Sequence, residues 1–474
     1  MALAMNTARL EAFIFDKMSA TRLPGLSIAV VRDGKVVYAR GFGQANIEKS
    51  RAATPQTLYG AASITKSFIA IAILQLAERG LIKPNDPVEK FLPCPIKSSD
   101  GVVTIEHLLT HTSGLPAIGY IEAVLRHAHG IGGANLAIAS PRDVMTFAQE
   151  SESWAESPAG QRWFYLNEGY VLLGEIVGKI TGTPYERYVD EHIFKPLGMT
   201  SSFFAEVDVT RQDDVATPYV LPKDGVAPPR AGKYLYNVLG ADAALITNVI
   251  DLASYLNMFL VHGRSVMSKD SFEAMTRPRV ALPAEPMPQL WGEQANSSQA
   301  RPSHYGLGLS VSDDFLGERL IGHSGSLIIT SSYIGFMPKS NVGVAVLSNG
   351  NGYGAPALAK VALAILLGRE PEELPFVRTE NLLKELSGQY ETFRGTLRGK
   401  VIREGDFLRI EYLGGDQPPG GAILVPERLD GDEPRFFTIC DGAKLPAVFR
   451  RRTDGGMELI FERYKLRRTG PLPT

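Results

Sequence analysis

The 474-residue sequence predicts an α+β domain followed by a small all-β domain. Strand-like runs lie near both ends of the first 370 residues, and helical periodicity fills the region between them. Beyond residue 375 the pattern changes to short alternating runs separated by Gly, Asp and Pro turns, which indicates a small sandwich or barrel. We therefore expect an antiparallel sheet flanked by helices, with a mainly helical lobe, and a small β-barrel after it.

Each element of the first domain follows from a local pattern. Residues 7–18 are amphipathic and predict a helix, and residues 26–31 and 35–39 predict strands joined by the hairpin signal Asp33-Gly34. A mostly apolar run at 64–77 predicts a buried helix. Helical periodicity continues at 104–110, 141–149, 169–180, 184–193 and 248–261. Strands are then predicted at 305–311, 319–322, 327–336 and 342–347, and a closing helix at 355–367.

The chain divides into three predicted segments. The first domain spans residues 1–370, a linker spans 371–384, and a barrel spans 385–474. Long Pro/Gly-rich connections at 218–232 and 277–305 have the length of lids or substrate walls. The barrel is predicted from alternating runs at 388–393, 400–402, 407–412, 422–425, 435–439, 447–450 and 457–464.

Composition and charge exclude several classes of partner. Lys and Arg total 49 and Asp and Glu total 51, so the net charge of -2 gives no electrostatic footprint for nucleic acid or an anionic membrane. The two cysteines, Cys94 and Cys440, form neither a disulfide framework nor a metal-ligand spacing. The apolar N-terminal stretch before Arg9 is too short for a signal peptide, and no apolar run has the length of a membrane span. We expect a soluble, cytoplasmic protein.

The most informative motif is Ser63-Ile64-Thr65-Lys66, where the apolar helix begins. Residues i and i+3 share one face of a helix, so the hydroxyl of Ser63 and the amine of Lys66 are within reach of each other. A serine becomes a strong nucleophile when a base takes its proton, and lysine is such a base only when neutral. The positive end of a helix and apolar surroundings both disfavour an ammonium. The alternative is a serine N-cap followed by a lysine that reaches solvent.

A second motif, Tyr165-Leu166-Asn167, precedes a predicted helix. In a structural interpretation Asn167 is a natural N-cap and Tyr165 is a packing residue. In a functional interpretation the Tyr165 phenol passes a proton between the serine and the leaving group, and Asn167 contacts a substrate amide. The motif alone leaves both interpretations open.

The third motif is His323-Ser324-Gly325-Ser326, placed at the end of a predicted strand. It is either a strand edge loosened by glycine or a substrate contact, in which Gly325 admits a substrate backbone and the Ser326 N–H donates to an oxyanion. The stretch from Gly322 to Ser326 also approaches the G-x-S-x-G elbow of α/β-hydrolases. That interpretation fails because Ser326 stands where glycine is required and no helix follows.

His107 and His111 lie four residues apart on a predicted helix, which is half of a zinc site. No Glu follows the first histidine and no third ligand is apparent, so packing roles are predicted for both. The stretch 111–116, His-Thr-Ser-Gly-Leu-Pro, is interpreted as a helix terminus with a turn. We expect neither a metal nor another cofactor.

The ordered set of motifs resembles the serine β-lactamase and penicillin-binding-protein-like hydrolases. The closest branch contains class C β-lactamases, D-aminopeptidases, esterases and D-Ala-D-Ala carboxypeptidase B-like serine peptidases. The resemblance covers roughly residues 6–370 and includes Pro24-Gly25-Leu26 and 111–116. It implies a β-lactamase-like fold for the first domain. The tail resembles the lipocalin-like β-barrel that is appended to some peptidases of this branch.

The resemblance also implies roles for individual residues. Ser63 would be the acylated nucleophile, and Lys66 and Tyr165 would share the proton transfers, with either of the two as the acylation base. The implied substrate contacts are Asn167, His323 and Gly325. The implied oxyanion donors are the backbone N–H groups of Ser63 and Ser326.

One position departs from the β-lactamase pattern, because the third motif there usually begins with lysine and here begins with His323. An ammonium is a permanent partner for a substrate carboxylate, whereas imidazole is mostly neutral at pH 7. We therefore expect a serine hydrolase acting on peptide or amide bonds, with D-amino-acid peptides among the candidates. The alternatives are a carboxylesterase, weak β-lactamase or penicillin-binding activity, and a non-catalytic binding protein. The sequence leaves open whether the protein forms a homo-oligomer.

Overall fold

The computed structural model describes residues 5–204, 206–222, 227–236, 238–263, 266–283, 303–413 and 421–472. These residues form two compact units, one up to 283 and from 303 to 368, the other from 369 onward. The helices are α1 Thr7–Thr21, α2 Thr65–Glu78, α3 Ile105–Leu109, α4 Tyr120–Ala128, α5 Pro141–Phe147, α6 Asn167–Thr181, α7 Tyr185–Val189, α8 Lys195–Leu197, α9 Glu206–Val209, α10 Val249–Leu260, α11 Lys269–Thr276, α12 Ala355–Leu366 and α13 Pro375–Leu386.

The strands of the first unit combine both ends of its sequence in one antiparallel sheet. They are β1 Gly25–Arg32, β2 Lys35–Asn46, β3 Arg51–Ala52, β4 Tyr59–Gly60, β5 Tyr219–Val220, β6 Arg230–Ala231, β7 Ile246–Thr247, β8 Val280–Ala281, β9 His304–Tyr305, β10 Ser310–Phe315, β11 Glu318–Ser326, β12 Ser331–Met337 and β13 Val342–Ser348. The sheet order is β3-β2-β1-β13-β12-β11-β10-β9-β8, and β4 with β7 and β5 with β6 form separate pairs. The prediction of one sheet with a helical insert is confirmed.

The centre of this sheet is buried on both faces. Every residue of β12 and β13 is buried, which explains why apolar residues follow one another in β13 and in β12 after Ser332. Helix α10 packs on β1, β12 and β13, and α12 packs on β12 and β13. The hairpin between β1 and β2 turns through Asp33 and Gly34 with φ of 51° and 75°, the left-handed pair that a type I′ turn requires.

The second unit is built around a closed barrel. Its strands are β14 Gly388–Glu391, β15 Arg398–Glu404, β16 Phe407–Leu413, β17 Ala422–Arg428, β18 Arg435–Cys440, β19 Ala443–Arg451, β20 Met457–Phe461 and β21 Tyr464–Gly470. Alternate residues such as Leu408, Leu424 and Phe436 are fully buried inside it. The prediction of a small all-β barrel is confirmed, and the run predicted at 457–464 is a hairpin of two strands.

The segment predicted as a linker, 371–384, is largely helical. Pro375 occupies the first turn of α13, where its missing N–H has no intrahelical partner to lose. Leu382, Leu383 and Leu386 of this helix belong to the same apolar cluster as the barrel interior. The Pro/Glu-rich sequence therefore starts a packed helix instead of a spacer.

Three other predictions differ from the structure or fall outside its described part. The strand predicted at 319–322 continues to Ser326, so the third motif lies inside β11. Helix α4 was not predicted. The long connections at 218–232 and 277–305 fall in part outside the described residues. Over the ranges that the structure describes, no helix has both the length and the apolar character to cross a bilayer.

Leu383→Ala should destabilise the barrel unit by about 2–5 kcal/mol, because it removes a fully buried side chain from the cluster that joins α13 to the barrel. Lys384→Ala, exposed on the same helix, should change stability by less than about 0.5 kcal/mol. Urea denaturation of the full chain, followed by circular dichroism, measures both. Equal effects of the two substitutions would contradict the packing role of α13.

Candidate active site

The nucleophile turn, residues 61–65, places Ser63 directly before α2. Ser63 lies in a 3₁₀ turn, Ala62–Ile64, and is the one residue of 61–70 that is not fully buried. Ala62 has a φ of 50°, a left-handed conformation that costs a non-glycine residue roughly 1–2 kcal/mol. The turn is fixed by hydrogen bonds from Thr65 Oγ1 to the Ala62 carbonyl and from Ser332 Oγ to the Ala61 carbonyl, both at 2.6 Å. Strain at a clamped turn is common at functional sites.

Lys66 is fully buried one turn further along, and its amine contacts three oxygen atoms. Its Nζ lies 3.1 Å from Ser63 Oγ, 2.8 Å from Asn167 Oδ1 and 2.8 Å from the Asp242 carbonyl oxygen. An ammonium has three N–H donors, so these three oxygen atoms satisfy it completely. The predicted proximity of Ser63 and Lys66 is therefore present, and the alternative of a lysine reaching solvent is wrong.

The second motif lies beside this amine. The Tyr165 ring centroid is 4.8 Å from Lys66 Nζ, and Tyr165 itself is partly exposed. Asn167 is the first residue of α6, and no side-chain hydrogen bond caps that helix. Its amide oxygen accepts from Lys66 instead, so the N-cap interpretation is wrong.

His323 is buried and uses both ring nitrogens. Its Nε2 is 2.8 Å from the Tyr305 hydroxyl, and its Nδ1 is 2.6 Å from the Ser324 carbonyl oxygen. A carbonyl only accepts, so Nδ1 carries the proton and Nε2 accepts from Tyr305. Burial, assisted by the charge of Lys66, lowers the pKa of His323 to about 3. The imidazole is neutral at physiological pH.

Gly325 brings β11 against the nucleophile turn. A Cβ atom on this residue would lie 2.4 Å from the Ala61 carbonyl oxygen and 2.9 Å from the Ser63 nitrogen, so any side chain would force the strand away. One interpretation of the sequence gave this glycine a role in the approach of a substrate backbone, whereas the neighbour that it admits here is the turn itself. Ser326 follows with an exposed side chain.

A buried acidic pair lies behind Lys66. Asp242 Oδ2 accepts from the Tyr120 hydroxyl at 3.2 Å and Oδ1 accepts from the Gly240 N–H at 3.0 Å, and burial raises the pKa of this carboxyl. Glu168 Oε2 is buried and has no hydrogen-bond partner among the described residues. Burial, with Asp242 and Glu122 nearby, raises the pKa of Glu168 to about 8.

Several of these contacts could not be predicted from the sequence. The Asp242 carbonyl is a backbone oxygen, for which no residue pattern exists, and Tyr305 looked like an ordinary strand residue. His107 caps α3, since its Nδ1 accepts from the Thr104 N–H. His111 is buried against Tyr165 with ring centroids 4.2 Å apart. Within the described residues, no group of three or more His, Cys, Asp and Glu is arranged to hold a metal ion.

A helix-flanked antiparallel sheet with a Ser-x-x-Lys turn, and a tyrosine beside the lysine, defines the class of the serine β-lactamases and penicillin-binding proteins. Comparison with known proteins agrees with this class. The family model described as Beta-lactamase matches residues 10–368, and the chain belongs to that family. A second model, described as the Pab87 octamerisation domain, matches residues 371–467.

Individual relatives extend the comparison. The structure of an octameric penicillin-binding protein homologue from Pyrococcus abyssi is 40% identical, covers 98% of this chain and 100% of its own, and superposes with a TM-score of 0.91. A D-stereospecific amidohydrolase from Streptomyces sp. is 25% identical, covers 77% of this chain and 99% of its own, with a TM-score of 0.58. Protein Flp of Staphylococcus aureus strain MW2 is 29% identical over 74% of this chain, which spans 65% of Flp.

The buried carboxyl of Glu168 predicts a pH-dependent loss of stability. Its folded pKa of about 8 lies above the ordinary value of 4.5, so the folded state keeps a proton that the unfolded chain releases. The free energy of unfolding therefore falls as pH rises from about 4.5 to 8. Glu168→Gln should remove this fall. The change that it causes in the free energy of unfolding should therefore be more favourable at pH 8.5 than at pH 5, by roughly 2–4 kcal/mol.

Denaturant titrations at the two pH values measure this difference. Glu175→Gln, exposed on the same helix α6, is the matched control and should shift stability equally at both pH values. A Glu168→Gln effect that does not depend on pH would contradict the prediction.

Proposed function

We propose that this protein is a serine hydrolase that cleaves amide bonds of small peptides or amides through an acyl-enzyme on Ser63. The observation that carries the proposal is the set of partners around Lys66. The Asn167 amide oxygen and the Asp242 carbonyl can only accept hydrogen bonds. A neutral amine that donates to both turns its lone pair towards Ser63 Oγ, 3.1 Å away, and can take the hydroxyl proton.

In the proposed reaction Ser63 Oγ attacks the carbonyl carbon while its proton passes to Lys66 or Tyr165. The backbone N–H groups of Ser63 and Ser326 would donate to the oxyanion, and the close approach of Gly325 to the Ser63 nitrogen supports this pairing. The Tyr165 phenol would deliver a proton to the leaving nitrogen as the C–N bond breaks. A water molecule would then hydrolyse the ester by the reverse proton path. Either base satisfies the proposal, because the Lys66 amine contacts Ser63 Oγ and the Tyr165 ring lies beside that amine.

The state of His323 supports substrates that lack a carboxylate beside the scissile bond. Its ring is neutral and both nitrogens are engaged with protein atoms, so it offers no cation to a substrate carboxylate. This favours amides and peptide amino termini over β-lactams and D-Ala-D-Ala. The similarity to the D-stereospecific amidohydrolase makes D-amino-acid amides the first substrates to test. A carboxylesterase is the second candidate, because an ester can acylate the same serine with the same lysine as base.

A fluorophosphonate probe followed by mass spectrometry should give an adduct on Ser63. Ser63→Ala and Lys66→Met should each lower kcat/KM by about a thousandfold or more, since they remove the nucleophile and its base. Ser324→Ala, an exposed serine on β11, is the control and should retain full activity. An adduct elsewhere, or full activity of Ser63→Ala, would refute the proposal. Matched p-nitrophenyl esters and D- and L-amino-acid p-nitroanilides then distinguish amidase from esterase.

We also propose that the chain forms a homo-oligomer through its barrel unit. The similarity to an octamerisation domain and to an octameric homologue supports this. On the outside of β16, β17 and β18, Phe407, Ile423 and Ile439 are 44%, 40% and 62% exposed. Val425 pairs with Phe437 across β17 and β18, so these strands present several apolar side chains on the outside of the barrel. A second copy of the chain is the proposed partner.

Light scattering coupled to size exclusion should show an oligomer for the unaltered protein. Ile439→Asp should dissociate it, because a charge would be desolvated in the contact. Phe393→Asp changes an aromatic side chain that is 79% exposed outside these strands and should leave the oligomer intact. Dissociation by the Phe393 variant alone would place the contact elsewhere on the barrel.

A further inference from the structure

His111 contacts the Tyr165 segment on both sides of the phenol. Its carbonyl oxygen accepts from the Phe164 N–H at 2.8 Å, and its Nδ1 accepts from the Leu166 N–H at 3.0 Å. The imidazole also lies against the Tyr165 ring, with centroids 4.2 Å apart and planes 36° apart. One residue therefore fixes the backbone before and after Tyr165 and supports the ring between them.

The backbone around His111 is arranged for these contacts. His111 has a φ of 59°, a left-handed conformation that is uncommon outside glycine but that asparagine, aspartate and histidine adopt more often than other residues. The next residues continue the pairing, since the Thr112 carbonyl accepts from the Gly160 N–H at 2.7 Å and the Gly114 carbonyl accepts from Glu156 at 2.9 Å. The turn after α3 is therefore hydrogen-bonded to the segment that precedes Tyr165 in the chain.

The imidazole must be neutral to make these contacts. Nδ1 accepts a hydrogen bond, so the ring proton is on Nε2, and a second proton would oppose the Leu166 N–H. Burial, together with Lys66 and His323, lowers the pKa of His111 well below its usual range. Nε2 is buried and has no hydrogen-bond partner among the described residues. A phenylalanine would fill this space without a buried unpaired donor, so packing alone does not explain a histidine here.

We propose that His111 is a positioning residue that holds Tyr165 where it can transfer a proton to the leaving group. This inference relies on the proposed function. Proton transfer needs heavy atoms within about 2.6–3.2 Å of each other, and a displacement of about 1 Å can lower a rate by about a hundredfold. Loss of the Nδ1 acceptor would free the Leu166 N–H and allow the Tyr165 segment to shift, while Ser63 and Lys66 keep their own contacts.

The test compares two esters of one acid, a p-nitrophenyl ester and an alkyl ester. Their acyl groups are identical, but only the alkoxide needs a proton as it leaves. His111→Phe should lower kcat/KM about tenfold to a hundredfold for the alkyl ester and less than about threefold for the p-nitrophenyl ester. His111→Asn places an amide oxygen near the position of Nδ1 and tolerates the positive φ, so it should recover the alkyl ester rate to within about threefold.

His107→Phe is the matched control, because His107 Nδ1 also accepts a backbone N–H, from Thr104, away from Tyr165. It should leave the ratio of the two ester rates unchanged. If His111→Phe does not fold, His111→Gln is used in its place. The longer glutamine side chain places its amide oxygen beyond the Leu166 N–H. Equal loss on both esters, no loss, or failure of the asparagine variant to recover the rate would refute the positioning role. Failure of the proposed function is distinct, because the unaltered protein would then lack the fluorophosphonate adduct on Ser63.

Discussion

The site depends on the satisfaction of one buried amine. Lys66 is fully buried, and an amine in such a place is tolerated only when its hydrogen bonds are complete. The Ser63 hydroxyl from the turn before α2, an amide from α6 and a backbone carbonyl at Asp242 meet at its nitrogen. Because these partners come from three distant parts of the sequence, the amine fixes the relative positions of the nucleophile turn and the Tyr165 motif. Loss of any partner would leave a buried N–H unpaired, which is why the arrangement is specific.

Several groups around this amine are unfavourable for folding. Ala62 is left-handed, and among the described residues neither His111 Nε2 nor the buried Glu168 Oε2 has a hydrogen-bond partner. Each feature costs on the order of 1–3 kcal/mol, and their sum is comparable to the net stability of about 5–15 kcal/mol of a typical domain. The central strands of the sheet, buried on both faces and covered by α10 and α12, supply the packing that offsets them. The strained turn is attached to these strands, because Ser332 of β12 donates to the Ala61 carbonyl.

The sequence was sufficient where the determinants are local. The i, i+3 spacing placed Ser63 next to Lys66, Asp33-Gly34 gave the hairpin, and alternating runs gave the barrel. It was insufficient where backbone atoms or distant packing decide. The Asp242 carbonyl is a backbone atom and has no residue signature. Gly325 matters because β11 contacts the turn at Ser63, which lies 262 positions earlier in the chain. The helix within the predicted linker, 371–384, could not be predicted for the same reason. The leucines of α13 pack against barrel residues that lie far from them in the sequence.

The charges at the site argue for a neutral acyl group. His323 and His111 are both held neutral by burial, and burial raises the pKa of both Asp242 and Glu168, which favours their uncharged forms. Lys66 directs its hydrogen bonds to protein oxygen atoms, so it has no free N–H donor for a ligand. A substrate carboxylate at this position would lose its hydration without gaining an ion pair, whereas a neutral amide would lose far less. The histidine in the third motif therefore lacks the permanent cation that a lysine would supply here, which supports the proposal of amide substrates over β-lactams.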